Sequence, residues 1–330
     1  MQQPPLLTDA LAALLEGVPR KDLAAAAKAI SDGYRAGASS QAIATPLQAA
    51  AYATARMPAT IAASAAMFAR LAEAMPDFAP RSLLDVGAGT GAASWAAVTE
   101  WPGLHSIIML EPNPALRTLA RRLAESGPLE CAEFLSGSLD AEKPEADLVV
   151  ASYVLAELPE EKAAAVARDL WQSTRGALAL IEPGTPQGFA RIRAARAALI
   201  EAGAHVAAPC THDNVCPMRS VGVVRSDSVW TSDQNKGDDW CHFSQRLPRS
   251  RDHMLLKDAS VPFEDERYSY VVVTRQKVAS GARILAPPLE AKPGLTFKLC
   301  DETGLRAQFV AARDRDEYRR VRKRGWGDLF

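Results

Sequence analysis

Long apolar runs are missing from this chain of 330 residues, and its formal net charge is only -1. No run approaches the roughly 18 apolar residues that a membrane-spanning helix needs, so we expect no membrane partner. A net charge so close to zero gives no general attraction to nucleic acid, and any such binding therefore requires a local basic surface. The length suffices for two domains or for one elaborated domain with a large core.

Cysteine is also scarce, with five residues in the chain, and no two of them form the tight C-x2-C pair that structural zinc sites commonly use. The first twenty residues contain Asp9 and Glu16, and their only basic residue is Arg20. That composition is typical of neither a secretory signal nor a basic transit peptide. We therefore expect reduced thiols and a bacterial cytoplasmic location, with the mitochondrial matrix as the alternative.

The most informative stretch is L-L-D-V-G-A-G-T-G at residues 83–91, an apolar strand that runs into a glycine loop. Gly87, Gly89 and Gly91 allow a tight turn and a close approach to a ligand, so we predict a small-molecule site. Asp85 would repel the pyrophosphate of a dinucleotide, whereas it would attract the sulfonium and ammonium groups of S-adenosylmethionine. The spacing G-x-G-x-G also differs from the dinucleotide pattern G-x-G-x-x-G.

A second acid supports the prediction of a nucleoside site. Residues 107–110 are a buried-strand run, and Glu111 follows it about 20 residues past the loop, where an acid conventionally binds ribose hydroxyls. Strand, loop, helix, strand and acid therefore occur in the order of a nucleoside-binding unit. Two alternatives stay open, namely a nicotinamide site and a glycine-rich turn with two incidental acids.

Two further residues are candidates for cofactor binding. Residues 136–140 lie where this kind of fold contacts an adenine base, which makes Ser138 a candidate. Tyr153 ends the central strand at residues 147–153, at the edge of the sheet where ligands bind. We predict that Tyr153 packs against the core or the cofactor, and stacking on an acceptor base is the alternative.

The chain divides into three predicted regions. Residues 1–79 are alanine-rich with helical periodicity and predict a helical N-terminal domain. Strands and helices then alternate, which predicts an α/β domain over 80–280 with a parallel, doubly wound sheet. Within it, about 205–257 has few apolar runs and three cysteines, and we predict an insertion there. A strand pair around the turn at 301–304 predicts a hairpin in a C-terminal β region with a basic tail, 281–330.

Four cysteines are candidates to hold one metal centre: Cys210, Cys216, Cys241 and Cys300. Irregular backbone with little core gains folding energy from metal ligation. The wide spacing and the Cys-Pro pair at 216–217 are compatible with an iron–sulfur cluster. Zinc and unrelated reduced thiols stay open as alternatives. Cys131 is predicted to be an ordinary buried residue.

Several motifs together resemble one known family, the ribosomal small-subunit methyltransferase-like family. They are R-M-P-A-T at 56–60, the glycine loop, P-C-T-H-D-N-V-C-P at 209–217, D-W-C-H-F-S-Q-R at 239–246, F-E-D-E-R-Y-S-Y at 263–270, and K-L-C at 298–300 followed by Gly304. The resemblance covers nearly the whole chain. Residues 221–237 depart from it and look like an insertion.

The resemblance implies a class I, Rossmann-like methyltransferase fold that binds S-adenosylmethionine. It also implies a four-iron, four-sulfur cluster, and association with the small ribosomal subunit and its rRNA during assembly. By motif, the cluster ligands would be Cys210, Cys216, Cys241 and Cys300, and iron–sulfur is then favoured over zinc. We expect the protein to be a monomer away from the ribosome.

No catalytic residue is predicted. Amino-group methylation of bases commonly uses an Asn/Asp-Pro-Pro-aromatic turn, and this chain has A-S-Y-V at 151–154 instead. Methylation at cytosine carbon 5 needs a cysteine nucleophile, and no Pro-Cys pair occurs at these strand ends. Glu157 and Glu182 lie near the rim as possible acids or bases, although surface and capping roles are more common.

Two functions from different classes stay open. In the first, the chain is an S-adenosylmethionine-dependent methyltransferase that acts on rRNA. In the second, it is a non-catalytic ribosome assembly or RNA-binding factor with a structural metal site. A small-molecule methyltransferase is a more distant third. RNA contact is predicted for the basic tail at 319–324 together with Arg246, Arg249 and Arg251.

Overall fold

The structure is a computed structural model that describes residues 4–125, 127–219, 223–226, 229–232, 239–278 and 281–330. The α-helices in these ranges are α1 (Pro5–Leu14), α2 (Arg20–Arg35), α3 (Pro46–Ala74), α4 (Ala92–Glu100), α5 (Pro114–Ala124), α6 (Ala163–Gln172), α7 (Pro186–Glu201), α8 (Arg251–Leu256) and α9 (Arg315–Val321). None of them, within the described ranges, combines the length and apolar character that crossing a membrane requires.

The strands were assigned over the same ranges. They are β1 (Ser82–Val86), β2 (Ser106–Leu110), β3 (Glu133–Leu135), β4 (Ala146–Ser152), β5 (Thr174–Pro183), β6 (His205–Ala208), β7 (Val223–Ser226), β8 (Val229–Ser232), β9 (Phe243–Pro248), β10 (Phe263–Thr274), β11 (Arg283–Ile284), β12 (Leu289–Ala291), β13 (Gly294–Asp301) and β14 (Gly304–Ala311). Helices and strands alternate over most of the stretch from β1 to β6, as expected for an α/β domain.

The central sheet has the strand order β3-β2-β1-β4-β5-β10-β6, and β9 pairs with the first half of β10. Strands β1 to β5 are parallel to one another. The order reverses between β1 and β4, and the carboxyl ends of these two strands therefore border the crevice where such sheets bind ligands.

The expectation of a wholly parallel sheet was wrong for β10. This strand is antiparallel to β5, β6 and β9. A parallel strand needs a crossover connection, whereas an antiparallel strand can follow its neighbour through a short one. Here β9 and β10 are joined by residues 249–262, a connection in which the secondary structure is the six-residue helix α8. Because the apolar pattern of a buried strand is the same in both directions, it could not give the direction of β10.

Neighbouring residues of the central strands pack into two different hydrophobic clusters, one on each face of the sheet. On β4, Leu148 and Val150 belong to the cluster that includes residues of α3 and α4, and Val149 belongs to the cluster that includes residues of α6 and α7. All three side chains are fully buried. A strand covered on both faces needs apolar residues at successive positions, which explains the continuous apolar run in the sequence.

Helix α3 is the longest helix and is part of the main core. It begins at a capping box, in which Thr45 accepts a hydrogen bond from the N–H of Gln48 and Gln48 accepts one from the N–H of Thr45. Phe68 and Leu71 of α3 lie in the same cluster as Leu83 of β1. The C-terminal end of α3 therefore packs into the same core as the central sheet.

The region predicted to be an insertion, about 205–257, begins with β6 and also contains β9 and α8, and both strands belong to the central sheet. Between these strands lie an irregular segment, which starts with a cis peptide bond between Ala208 and Pro209, and the separate antiparallel pair of β7 and β8. Part of the predicted insertion at 221–237 lies outside the described residues. The irregular part of the region is thus confined to the stretch between β6 and β9.

The C-terminal region forms a second sheet around β13, which pairs with β11, β12 and β14. Strands β13 and β14 are joined at the turn after Asp301. Phe297 and Leu299 of β13 are fully buried. Cys300, at the end of the same strand, packs into the main hydrophobic cluster, so this strand joins the second sheet to the core of the first.

Candidate functional site

The glycine loop between β1 and α4 follows a left-handed backbone path. Gly87, Gly89 and Gly91 have φ values of 70°, 57° and 83°, at which a side chain would strain the backbone. A Cβ on Gly87 would lie 2.4 Å from a methyl carbon of Val154, so this position also needs glycine for space. A Cβ on Gly89 would meet no atom within 4 Å. The middle of the loop therefore faces open space, as the approach of a ligand requires.

Glu111 lies directly beside this loop. Its Oε2 accepts a hydrogen bond from the N–H of Gly89 (2.8 Å), and its Oε1 accepts one from the N–H of Asn113 (2.7 Å). The residue is 4% exposed, and burial raises the pKa of its carboxyl group. The structure thus brings two of the predicted cofactor-binding segments together. Contact between Glu111 and ribose hydroxyls stays a prediction.

Asp85 is fully buried beneath the loop. Its Oδ2 accepts hydrogen bonds from the N–H (3.2 Å) and the hydroxyl (2.7 Å) of Ser94, and within the described residues its Oδ1 has no partner. Burial raises the pKa of this carboxyl group to about 7. Asp85 therefore fixes the loop to α4, and a cation bound nearby would favour its ionised form.

A segment between α2 and α3, residues 39–43, lies against the same edge of the sheet. The side-chain amide of Asn113 donates hydrogen bonds to the carbonyls of Ser40 and Ile43, both at 2.8 Å. From the other side, Glu157 accepts hydrogen bonds from the N–H and the hydroxyl of Ser40, both at 3.0 Å. Glu157, predicted as a possible acid or base, thus holds this segment in place. Nothing in the local sequence indicated these contacts, because they join residues far apart in the chain.

Tyr153 follows β4 with a φ of 61°, which is unusual for a residue with a side chain. Its hydroxyl donates a hydrogen bond to Oε1 of Glu266 (2.9 Å), and Arg56 contacts the same oxygen at 3.3 Å. Burial raises the pKa of the Tyr153 hydroxyl. The two motifs at 56–60 and 263–270 therefore meet at Tyr153, a contact that sequence reasoning missed.

Ser138 follows β3 and Glu182 lies near the end of β5, both at this edge of the sheet. Their surroundings are very different. Ser138 is exposed in the loop after β3. Glu182 is fully buried, its Oε1 accepts a hydrogen bond from the N–H of Leu155 (2.7 Å), and its Oε2 has no partner among the described residues. Burial raises the pKa of Glu182 to about 8. Its visible role is to hold the turn that follows β4.

The four cysteines predicted to share a metal centre line one small cavity of about 30 Å³. They reach it from separate elements, the segment after β6, the segment before β9, and the end of β13. Besides the cysteines, the wall includes an arginine-rich face of α7, a tyrosine of β10 and an arginine of β11: Phe189, Ile192, Arg193, Arg196, Tyr270 and Arg283. Residues up to 90 positions apart in the sequence, from 210 to 300, thus meet at one place.

Three of the thiols in this cavity favour their protonated form in the absence of a cation. Burial raises the pKa of Cys216, Cys241 and Cys300, and neighbouring cysteines raise it further. The sulfur of Cys300 lies 3.7 Å from Nε2 of His212. A metal that binds the thiols would displace their protons and balance the negative charge of the resulting thiolates. The chemistry of the donor set therefore fits a thiolate-ligated metal.

The described side chains that line this cavity do not form a compact set of ligands. Within the described ranges, no three His, Cys, Asp or Glu side chains form a ready-made group around a single metal ion.

The prediction for Cys131 was wrong, because this residue is exposed. It precedes the short edge strand β3, where a buried position could not be told from an exposed one by local pattern.

The strand order and the glycine loop after β1 define a Rossmann-like α/β fold. Residues 46–330 match the family model described as mitochondrial small ribosomal subunit Rsm22. The chain therefore belongs to the Rsm22 family, and the resemblance drawn from its motifs is confirmed.

Two curated relatives and one solved structure illustrate the similarity. The human mitochondrial ribosome assembly protein METTL17 is 27% identical over 302 residues, which are 84% of this chain and 61% of METTL17. The mitochondrial Rsm22-cox11 tandem protein 1 of Schizosaccharomyces pombe is 28% identical over 304 residues, covering 75% of this chain and 38% of that protein. The chain thus spans less than two thirds of either relative. Magnesium protoporphyrin IX methyltransferase of Synechocystis with bound SAM aligns at 14% identity over 66% of this chain and 81% of that one, with a TM-score of 0.38.

Proposed function

We propose that this protein is an S-adenosylmethionine-binding, methyltransferase-like factor that acts on or with the small ribosomal subunit and its rRNA. Membership of the Rsm22 family and the ribosome assembly role in the name of METTL17 support the ribosomal part. The observation that carries the cofactor part is the hydrogen bond from Gly89 to Glu111, which joins the loop to the acid.

The charge around the glycine loop supports a cationic ligand. Asp85, Glu111, Glu157 and Glu182 all lie at or beneath this edge of the sheet, and Glu111 and Glu157 each raise the pKa of neighbouring acids. A sulfonium and an ammonium group would relieve that repulsion, whereas a pyrophosphate would increase it. The proposed cofactor site also includes four residues that are predicted from the sequence, Gly87, Gly91, Ser138 and Tyr153.

Whether the chain transfers a methyl group depends on the turn after β4, and this turn favours the non-catalytic factor. The hydroxyl of Tyr153 is bonded to Glu266, and Glu266 is also paired with Arg56. Glu182 is fully buried and holds the N–H of Leu155. Its Oε2 has no partner among the described residues, but burial keeps this oxygen away from a methyl acceptor, from which a general base would have to take a proton.

We also propose that Cys210, Cys216, Cys241 and Cys300 hold a four-iron, four-sulfur cluster, with zinc as the alternative. Their convergence on one cavity supports this. A cluster supplies several iron atoms spread over a larger volume than one ion, which suits the open spacing of the thiols. When bound, it would tie β6, β9 and β13 together and so stabilise the irregular segment between them.

The basic C-terminal segment supports RNA contact. Residues 313–324 contain seven Lys or Arg and three Asp or Glu, in a chain whose net charge is -1. Arg322, Lys323 and Arg324 are exposed and form no ion pair with the described residues. Arg246 and Arg249, predicted to extend this surface, are instead paired with Asp265 and Glu264. The proposed RNA-binding surface is therefore narrower than the sequence indicated.

The location of the protein is a proposal in the same way. The names of both relatives are mitochondrial. This favours the mitochondrial matrix, which was the alternative, over the bacterial cytoplasm expected from the first residues. A monomeric state away from the ribosome stays a prediction.

The deciding experiment is a pull-down of the native protein with mapping of the bound RNA, combined with a methylation map of rRNA in a deletion strain. Bound small-subunit rRNA together with a lost methyl mark selects the enzyme. Bound rRNA without a lost mark selects the factor. Complementation with Gly89→Arg tests the cofactor, because a long side chain there would fill the approach to the loop. If neither small subunits nor their rRNA are recovered, the ribosomal proposal is wrong.

A further inference from the structure

Arg196 is an unusual member of the cysteine cavity because it is buried and forms no ion pair with a carboxylate among the described residues. The residue is 5% exposed. Its Nη2 donates a hydrogen bond to the carbonyl of His212 (2.7 Å), and its Nε has no acceptor in the described part of the chain. Asp213, next to His212 in the sequence, is bonded to His205 and to the N–H of Val206. Asp213 is close enough for Arg196 to lower the pKa of its carboxyl group, but no ion pair joins the two residues. A buried charge without a counter-charge in contact is unfavourable, so Arg196 needs an explanation.

A second arginine in the same wall shows how such a charge is normally satisfied. Arg283 is 1% exposed, lies 3.2 Å from a carboxylate oxygen of Glu73, and donates hydrogen bonds to the carbonyls of Pro209 and Gly327. Arg283 thus has both a counter-charge and a set of acceptors. In the described part of the chain, the acceptor recorded for Arg196 is the single carbonyl of His212.

The position of Arg196 on α7 makes an arginine there more unexpected. Phe189, Ile192, Arg193 and Arg196 have the spacing of one helix face, and all four line the cavity. An apolar residue is the default at such a buried position. Besides Asp213, the groups that share the cavity with Arg196 and can become negative include the four thiols, and they do so when they bind a metal.

We infer that Arg196 is the counter-charge of an anionic metal–thiolate centre held by the four cysteines, and that it sets the reduction potential and the retention of that centre. This inference rests on the metal site proposed above. Arg196 is a positioning residue rather than a ligand, because it acts through charge and through the carbonyl of His212.

The charge argument predicts the direction of the effect on the potential. One-electron reduction, with dithionite as the electron donor, adds a negative charge to a centre that is already anionic. A nearby positive charge favours the more negative state, so removing it favours the oxidised state. At a fixed potential we expect the ratio of reduced to oxidised centre to fall on the order of tenfold in Arg196→Gln, which is about 59 mV for a one-electron couple.

The test uses the full chain purified anaerobically, with iron, sulfide and zinc measured in each preparation. The midpoint potential is followed by visible and EPR spectroscopy for the wild type, Arg196→Gln, Arg196→Lys and Arg168→Gln. Arg168 is the matched control, since it is half-exposed on α6 and pairs with Glu201. We expect a lower potential in Arg196→Gln alone, and a potential close to that of the wild type in Arg196→Lys, which keeps the charge.

A second measurement covers the case in which the metal is zinc or the glutamine variant binds less metal. The rate of metal loss to EDTA should be about tenfold higher in Arg196→Gln and unchanged in Arg196→Lys and Arg168→Gln. A purely structural role of Arg196 would lower the metal content of both Arg196 variants and leave the potential of the remaining centres unchanged, which would overturn the inference. Wild-type protein with neither iron nor zinc would overturn the proposed metal site, and the inference with it. Metal-loaded protein with equal potentials and equal rates of loss would overturn the inference alone.

Discussion

The buried carboxyl group of Glu182 makes the stability of this protein depend on pH. Glu182 is fully buried, and burial is the main cause that raises its pKa to about 8, from an ordinary value of 4.5. Between these two values the folded chain keeps a proton that the unfolded chain has lost. The folded state therefore binds more protons, and the free energy of unfolding falls as the pH rises from about 4.5 to about 8. Below that window both states are protonated and the group has no effect.

The size of the effect follows from the two pKa values. They differ by about 3.5, which corresponds to a loss on the order of 5 kcal/mol at pH 8 and above. In Glu182→Gln the side-chain carbonyl can still accept the hydrogen bond from Leu155, while the titration is gone. The amide would leave a buried donor unpaired at a cost of about 1–3 kcal/mol, but this cost is the same at every pH. The variant should therefore still fold, and its free energy of unfolding should lack the dependence on pH that Glu182 causes.

Urea denaturation of the wild type and Glu182→Gln across about pH 5 to pH 8 would measure this difference. We expect the wild type to lose on the order of 4 kcal/mol more than the variant over that interval. Asp85, whose pKa is raised to about 7, adds a slope of the same sign, but it is present in both proteins and cancels. Glu201→Gln, an exposed change on α7, serves as the control and should follow the wild type. Parallel curves for the wild type and Glu182→Gln would refute the reasoning.

Three further outcomes are expected. Gly89→Arg should abolish S-adenosylmethionine binding in calorimetry while Gly103→Arg, which also has open space around it, binds normally; unchanged affinity in the first variant would place the cofactor elsewhere. Cys241→Ser should remove the brown colour of anaerobically purified protein and Cys131→Ser should not, and a colourless wild type that carries zinc would contradict the iron assignment. Replacing the basic residues 322–324 by alanine should weaken binding to rRNA and reduce the slope of affinity against salt by about 2–3, and an unaltered slope would rule out this surface.

The parts of the molecule that could be predicted from sequence are those in which local pattern decides the structure. The glycine loop is one, because Gly87, Gly89 and Gly91 all adopt φ values that other residues avoid. The apolar run of β4 is another, since a strand buried on both faces leaves a continuous signature. Glu111 lies beside the loop because parallel neighbouring strands end at the same edge of a sheet, whereas its contact with a ribose stays a prediction.

The parts that could not be predicted depend on contacts between distant residues. The pairing of Asn113 with the segment at 39–43 and the meeting of Arg56, Tyr153 and Glu266 leave no periodic signal. Arg196 has no distinguishing pattern in the local sequence, and its burial in the cavity lined by four cysteines follows from the tertiary structure. The direction of β10 was missed for the same reason, because strand direction is set by the connection and the neighbours.

Strand β10 fixes the separation between the two candidate sites. Glu266, which bonds to Tyr153, and Tyr270, which lines the cysteine cavity, are four residues apart on this strand and point to the same face. Their spacing is therefore about 13 Å and is set by backbone geometry instead of by a flexible joint. Because this separation exceeds about 7–10 Å, the effects on stability of one substitution at each position should be approximately additive.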